Sequence, residues 1–554
     1  MLAGFTPWPK EAAQRYRETG YWEGLTLWDM MARTVARHPD KVALVASDQR
    51  QTYADLDRIS ARLGAALLQQ GISPFDRVVL QLPNIPEFVH YYLALVRIGA
   101  IPVMALRSHR HTEVRHFIRA SGAVAYVVPD VAHKYDYRPM AADMQKEFMA
   151  LRTTIIVGAP GAGQLAHADL LATAGDQASI AAHLAAVDVS AADVATMLLS
   201  GGTTSLSKLI PRTHQDYVLN ARLCGEAAGF DEDTVFMAIL PLGHNYNLAS
   251  PGMLGTFYYG GTVVLAPSGK VEDVFPLVSR ERVTVIAAVV PLISNWLAAD
   301  LPDNCELSSL KVIQNGGARL APELRQRLMS RFGCKPQEIY GTAEGLINMT
   351  RLDDPEDLLL NSSGKPVCEA DEIKVVDDDG NEVPDGESGE LLTRGPYTIL
   401  GYYLAPEKNA EAFTDDGFYR MGDIVRKQGR TLYTEGRRKD LINRGGEKIN
   451  CEEVENFILM HPGVKSVSLV GMPDPIFGEK ACAFVILREG QTLGFEDMNA
   501  FLKRQKIASF KLPERLEVVS EFPLSPVGKI LKRKLREMIA ERLEAEGTSS
   551  SIHG

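Results

Sequence analysis

Apolar and polar positions along the chain fall into short β-rich runs separated by stretches of helical periodicity. From about Thr52 to Ile101, runs such as "DRVVLQLP" alternate with helical patterns, and the alternation continues through "AVAYVVP", "TTIIVG", "TVVLAP" and "VTVIAAVV". Repeated strand–helix units of this kind predict parallel sheets covered by helices, that is, a large core of doubly wound α/β subdomains. Around Ile373 to Tyr403 the pattern changes to short strands and turns, and "DDDGNEVPDG" carries hairpin turn chemistry, so a small β-rich subdomain is expected there. After the charged, Gly-containing connection "TEGRRKDLINRGGEKIN" the pattern restarts as a capped helix, "NCEEVENFILMHPGV", followed by the strands "SVSLVGMP" and "KACAFVILRE". The expected organisation is an N-terminal core over residues 1–437 and a mobile α+β domain over 438–540, hinged so that it can close a site. A tail over 541–554 is expected to be disordered, because "EAEGTSSSIHG" has no apolar periodicity.

Composition narrows the class without choosing an activity. A chain of 554 residues, 45% hydrophobic and 23% charged, is long enough for several domains and ordinary for a globular protein. Its formal net charge of -11 argues against nucleic acid as a partner, which would demand a basic face. The six cysteines are scattered without metal or redox spacing and read as buried thiols in a reducing compartment. The N-terminal stretch lacks a basic region followed by an apolar core. The longest apolar run, "VTVIAAVVPLISNWLAA", is broken by Pro291, Ser294 and Asn295. A cytoplasmic protein with neither a secretory signal nor a membrane span is therefore expected.

The first chemical signal is "LLSGGTTSLSKLIPRTH", Leu198 to His214. A strand-like run breaks into a Gly, Thr and Ser loop that ends on a lysine, and free backbone N–H groups beside hydroxyls form a nest suited to phosphate oxygens. The spacing is not that of a Walker A loop, since Lys208 follows Ser207 and precedes Leu209. Taken alone, the stretch reads equally as a phosphate site or a surface turn.

Further along stand "NGGARL", "YGTAEG", "GELLTRGPYTILGYY", "FYRMGD", "EGRRKDLINRGGEKI" and "PLSPVGKI". Together and in this order, from roughly Leu27 to Ala540, these stretches resemble the adenylate-forming (ANL) superfamily of acyl-CoA synthetases, firefly luciferase and peptide synthetase adenylation domains. The resemblance implies ATP-dependent conversion of a carboxylate to an acyl-AMP with release of pyrophosphate, then transfer to a thiol. It implies that Ser200, Gly201, Gly202, Thr203, Thr204 and Lys208 cradle the pyrophosphate, and that Glu344 holds Mg²⁺. By the same resemblance Gly316, Gly317, Ala318, Tyr340, Gly341 and Thr342 bound the nucleotide, and Asp423 and Arg437 hold the ribose. Lys439 and Asp440 fall at the hinge, and Lys529 bridges carboxylate and α-phosphate during adenylation. Two departures from the family stand out. Ser205 replaces a usual glycine, and Ala343 replaces a usual threonine, removing one phosphate contact.

For the acid itself, "LPLGHNYNLASPG" resembles the stand-alone aryl acid AMP ligases of siderophore biosynthesis, of the 2,3-dihydroxybenzoate type. There Asn245 would hydrogen-bond the ring 2-hydroxyl and carboxylate, while Tyr246 packs on the aryl face and Ile339 forms a wall. His244 joins Lys208 and Lys529 as a candidate catalytic residue. Ser250 offers a hydroxyl to a ring 3-hydroxyl where salicylate members carry Cys, which favours 2,3-dihydroxybenzoate, with salicylate next. No carrier segment follows Lys529, so the acceptor thiol is expected on a separate phosphopantetheinylated aryl carrier protein. The basic run "LKRKLREMIAER" is either a docking face for it or a solvated helix face. An aryl-CoA ligase and a non-catalytic adenylate-binding scaffold are the alternatives.

Overall fold

A computed structural model describes residues 1–200, 207–303, 305–437, 440–444, 447–474, 476–505, 507–525 and 528–550, with the side chains of Arg437, Lys448 and 547–550 left outside the description. Six parallel strands form the centre of a nine-stranded sheet, in the spatial order Lys335–Gly341, Val312–Gly316, Val285–Ala288, Val235–Ala238, Thr262–Leu265 and Val42–Ala46. A seven-stranded sheet is parallel from Val194–Leu199 through Ile101–Met104, Arg77–Leu80, Ala125–Pro129 and Thr153–Val157 to Leu165–Ala166, and ends antiparallel on Leu209–Thr213. Every residue of Ala125–Pro129 and of Val285–Ala288 is buried, as strands covered on both faces require. One apolar core lies between the two sheets and holds Leu80 and Leu198 from one with Ala238 and Ala287 from the other. Helix Pro86–Arg97 buries every side chain from Phe88 to Val96, which explains why its sequence is apolar all round.

The long apolar run is strand Val285–Ala288 followed directly by helix Val290–Ala298, with Pro291 in the first turn. No helix among the described residues is long and apolar enough to cross a membrane. The β-rich subdomain extends beyond the expected segment. Its four antiparallel strands are Glu372–Val376, Ser388–Arg394, Tyr419–Gln428 and Thr431–Arg437, so half of the sheet comes from residues after Tyr403. In "DDDGNEVPDG" the Asp377 carboxylate accepts from the N–H groups of Asp379 and Asn381, and Gly380 takes φ +86°, the turn chemistry its sequence predicts.

In the C-terminal part, Val464–Asp474 pairs with Gly478–Leu487, which Arg515–Val518 joins in parallel, and the hairpin Ile442–Arg444/Glu447–Ile449 lies at the other edge. Helix Cys451–Leu459 starts at Asn450, whose side chain accepts from the N–H groups of Glu452 and Glu453. The expectation of a disordered tail over 541–554 is overturned for 541–550, because helix Lys532–Ser550 runs through it. Leu535 and Ile539 anchor that helix on Val470, Cys482 and Phe484, and past them Arg542 pairs with Glu517 and Glu546 with Arg515. Of the two lysines in the basic run, Lys532 is tied to Glu455 at 2.7 Å and to the Leu469 carbonyl, which removes it from any docking face; Lys534 is exposed.

Candidate active site

The expected phosphate loop rises from a closed stem. Leu199 stands opposite Leu209 in the antiparallel ladder, Ser200 N–H donates to the Lys208 carbonyl at 3.0 Å, and Lys208 N–H donates to Ser200 Oγ at 2.9 Å. Gly201, Gly202, Thr203, Thr204 and Ser205 lie outside the described residues. Lys208 Nζ sits 4.3 Å from the centroid of the Tyr402 ring, a cation on an aromatic face. The Tyr402 hydroxyl donates to Glu344 Oε1 at 2.9 Å, and burial, first among its causes, keeps that phenol protonated. Lys208 and the buried Glu344 are thus brought together across one ring. Thr342 Oγ1 donates to the Gly345 carbonyl at 3.0 Å, folding "GTAEG" on itself. Gly341 is glycine for the same turn: an added Cβ would lie 2.3 Å from the Leu346 carbonyl oxygen.

Gly316, Gly317 and Ala318 form a second wall. The Asn315 amide donates to the Ala318 carbonyl at 2.7 Å and to Glu338 Oε2 at 3.0 Å, and Glu338 is itself ion-paired with the buried Arg325 at 2.9 Å. Close neighbours explain the glycines. A Cβ on Gly316 would come within 2.8 Å of the Tyr246 ring, and one on Gly317, where φ is +87°, within 2.8 Å of Lys529 Cε. Lys529 therefore reaches from the C-terminal part onto the core. Its backbone is held by Ser525, whose Oγ accepts from Lys529 N–H at 3.0 Å and whose N–H donates to the Lys529 carbonyl at 2.7 Å.

Tyr340 donates its hydroxyl to Asp423 Oδ2 at 2.8 Å, and Asp423 stands opposite Arg437 in the ladder. The Arg437 side chain and Lys439 lie outside the described part. Asp440 accepts from Arg536 at 2.6 Å, and its carbonyl accepts from Cys451 Sγ at 2.9 Å.

The third group surrounds helix Asn245–Ala249. His244 caps it, Nδ1 accepting from Tyr246 N–H at 3.3 Å, which puts the ring proton on Nε2. Asn245 Oδ1 accepts from the Tyr217 hydroxyl at 2.8 Å, and its amide donates to Ser250 Oγ at 3.2 Å. Asn220 donates to the Ala249 carbonyl at 2.6 Å and to Ser250 Oγ at 3.1 Å. Burial pushes the Cys224 thiol up to about 12, and a hydrogen bond with Ser250 opposes that rise. Ile339 pairs with Gly316 on the adjoining strand and is buried. The structure thus brings together Asn245, Tyr246, Ser250, Ile339, Gly316 and, through Gly317, Lys529. It also adds residues the sequence reading missed: Tyr217, Asn220, Tyr402, and the buried Arg212, which donates to the Ala343 carbonyl at 3.0 Å. One signal for the first two was available. "THQDYVLN" is a capping box followed by polar residues three apart on one helix face.

Burial, with Lys529 as second cause, pushes the His244 ring down to about 3, and burial first of all takes His214 to about 3 and His90 and His109 to about 4. A ring held neutral in the fold contributes stability that is complete above its ordinary value near 6.5 and is lost as pH falls towards the folded value. Asp371 and Glu452, lifted by burial to about 7, run the other way, so ring titration is the decisive measurement. By NMR the His244 ring should remain neutral at about pH 5; a titration midpoint near its unperturbed value would show that the ring is open to water and not engaged as described.

A family profile described as "AMP-binding enzyme" matches residues 31–403, and one described as "AMP-binding enzyme C-terminal domain" matches residues 453–529. The chain is 46% identical over 546 residues to a 2,3-dihydroxybenzoate-AMP ligase of Bacillus subtilis, covering 98% of this chain and 99% of that protein. It is 41% identical over 540 residues to a salicyl-AMP ligase / salicyl-S-ArCP synthetase of Mycobacterium tuberculosis, covering 96% and 94%. Among solved structures, an anthranilate CoA ligase in complex with anthranoyl-AMP superposes with a TM-score of 0.85 at 25% identity, over 94% of this chain and 98% of that one. The ordered motifs, the paired sheets with their appended small domain, and these end-to-end matches together make the chain a member of the AMP-binding, adenylate-forming enzyme family.

Proposed function

We propose that this enzyme uses ATP to adenylate an aryl acid, 2,3-dihydroxybenzoate before salicylate, and then passes the aryl group to the phosphopantetheine thiol of a separate aryl carrier protein. The observation that carries the reading is the buried polar cluster of Asn245 and Ser250 next to Tyr246, whose ring meets Gly316, the residue before the Gly317 that Lys529 reaches. Apolar walls with a few fixed donors suit a flat acid bearing ring hydroxyls. The names of the two curated relatives point to the same substrate class.

In the reaction a carboxylate oxygen attacks the α-phosphorus of ATP, and the bond to the β-phosphate oxygen breaks with its electron pair leaving on pyrophosphate. Two anions must approach, so a cation in a dry site contributes most between them, and Lys529 would stand there. Lys208 and the loop above Ser200 would hold the leaving pyrophosphate. Asp423, fixed by Tyr340, would accept from the ribose hydroxyls. Glu344 fits a Mg²⁺ ion that takes its other ligands from phosphate and water, being one buried carboxylate with an oxygen oriented by Tyr402. When bound, that ion would neutralise charge on the phosphates. The neutral His244 would act as a hydrogen-bond donor through Nε2 and not as a base. Arg437 and the hinge pair Lys439 and Asp440 retain the roles their positions imply, a ribose contact and the pivot of the small domain.

The test is ATP–pyrophosphate exchange with 2,3-dihydroxybenzoate, salicylate, benzoate and a medium-chain fatty acid, followed by transfer to a carrier thiol or to CoA. Strong exchange with the first, less with salicylate and little with the others is expected. Exchange with only the fatty acid would overturn the aryl reading, and transfer to CoA alone would replace the carrier by the acceptor that the anthranilate CoA ligase uses. Ser250 Oγ already accepts from Asn220 and Asn245, so its O–H is the group left to donate to a ring hydroxyl. Ser250→Cys should shift the 2,3-dihydroxybenzoate to salicylate ratio of kcat/KM by about tenfold towards salicylate. An unchanged ratio would remove Ser250 from the specificity argument.

A further inference from the structure

Tyr217 and Asn220 lie one turn apart on helix His214–Ala227, fully buried, and both bond to the segment Asn245–Ser250. A primary amide can be turned either way unless its partners forbid it, and here they do. The Ala249 carbonyl can only accept, so Asn220 must present its NH₂ there and to Ser250 Oγ, leaving Asn220 Oδ1 buried with no hydrogen-bond partner among the described residues. Burial raises the Tyr217 phenol far above its ordinary value, so Tyr217 is a permanent donor and takes the oxygen end of the Asn245 amide. The nitrogen end is then turned to Ser250, with its second N–H available to a ligand. The Tyr217 ring is itself fixed, with the Arg212 guanidinium 4.7 Å from its centroid and Arg212 locked to Asp216 at 2.8 Å.

We propose that Tyr217 is a positioning residue that sets selectivity for acids with a hydroxyl beside the carboxylate, by holding the Asn245 amide with N–H towards the ring. The inference rests on the aryl acid reading above and adds the device that orients its recognition group. Tyr217 touches no reacting atom. Without its hydroxyl the Asn245 amide is free to rotate, half of its orientations present a carbonyl oxygen to the 2-hydroxyl and carboxylate oxygens, and acids lacking the 2-hydroxyl have less to lose.

The experiment compares kcat/KM for salicylate and benzoate in the wild-type chain, Tyr217→Phe, Asn245→Leu and the double variant, by pyrophosphate exchange. Tyr217→Phe is expected to lower the salicylate-to-benzoate ratio about tenfold, mainly through the KM for salicylate. The double variant, which leaves neither partner unpaired, is expected to match Asn245→Leu in that ratio. It covers the case in which the single phenylalanine variant does not fold. An unchanged ratio in Tyr217→Phe, or a further fall from Asn245→Leu to the double variant, would overturn the assignment. A wild-type chain that exchanges with neither of these acids nor with 2,3-dihydroxybenzoate would overturn the substrate reading itself, which separates the two failures.

Discussion

Lys529→Ala is expected to lower the rate of pyrophosphate exchange by about 10²–10³-fold while leaving nucleotide binding and the unfolding temperature near wild type. The magnitude follows from the position. Lys529 meets Gly317 at the wall beside Tyr246, and its charge is felt by the buried His244. A cation held there by the Ser525 turn would, in the proposed reaction, stand between the two anions and cost no reorganisation when they meet. Lys529 is only half-buried and belongs to none of the apolar clusters of the core, so its removal should leave the fold stable. Transfer of the aryl group from supplied aryl-adenylate to a thiol should be spared, because that step brings no free carboxylate against the α-phosphate for Lys529 to bridge. Equal loss in both half-reactions would mean that Lys529 acts in general binding; a rate within a few-fold of wild type would remove it from the chemistry.

Asp216→Ala should cost about 3–5 kcal/mol of stability, read as a lowered unfolding midpoint. Asp216 and Arg212 are both fully buried and 2.8 Å apart, so the alanine would strand a guanidinium in the core. Arg212 would be left with the Tyr217 ring face and the Ala343 carbonyl that accepts from its Nη1, since its Nη2 has no hydrogen-bond partner among the described residues. The same carboxylate accepts from Thr213 N–H at 2.6 Å and Thr213 Oγ1 at 2.7 Å, so the carboxylate half of the capping box is lost as well. Replacing both partners, Arg212→Met with Asp216→Leu, should recover much of the loss, because a buried ion pair gains little over apolar packing of similar volume. A single-variant loss under about 1 kcal/mol would show that water reaches the pair. Activity should fall further than stability in Asp216→Ala, since Arg212 braces the residue before Glu344 and the ring of Tyr217.

Local pattern carried much of the fold. "DRVVLQLP", "AVAYVVP" and "VTVIAAVV" became strands Arg77–Leu80, Ala125–Pro129 and Val285–Ala288, because a strand buried on both faces must be apolar throughout and is recognisable without its neighbours. The reading of the β-rich part stopped short at Tyr403. Its last two strands join by pairing Ser388 with Arg426 and Asp423 with Arg437, contacts that no local periodicity reports. The tail was misread for a related reason. "ERLEAEGTSS" has no apolar face of its own beyond Leu543, which packs on the cluster of Val470 and Phe484, and Arg542 and Glu546 pair with Glu517 and Arg515 on a distant strand.

The site divides along the same line. Sequence by itself determined the chemical inventory and its order: a Gly, Thr and Ser loop closing on Lys208, a carboxylate at Glu344, an acid at Asp423, a lysine at Lys529 and the "HNY" segment. These depend on residue type and short spacing, which a chain displays directly. The tertiary structure alone decided which of them meet. It set Lys208 and Glu344 on one tyrosine ring, laid Lys529 against Gly317, and used Tyr217 and Asn220 to fix the polarity of Asn245 and Ser250. Those contacts join residues far apart in the chain, and the direction in which a buried amide points is set by which neighbour can donate and which can only accept. That information exists only once the sheets have packed and the helices have brought their polar faces together.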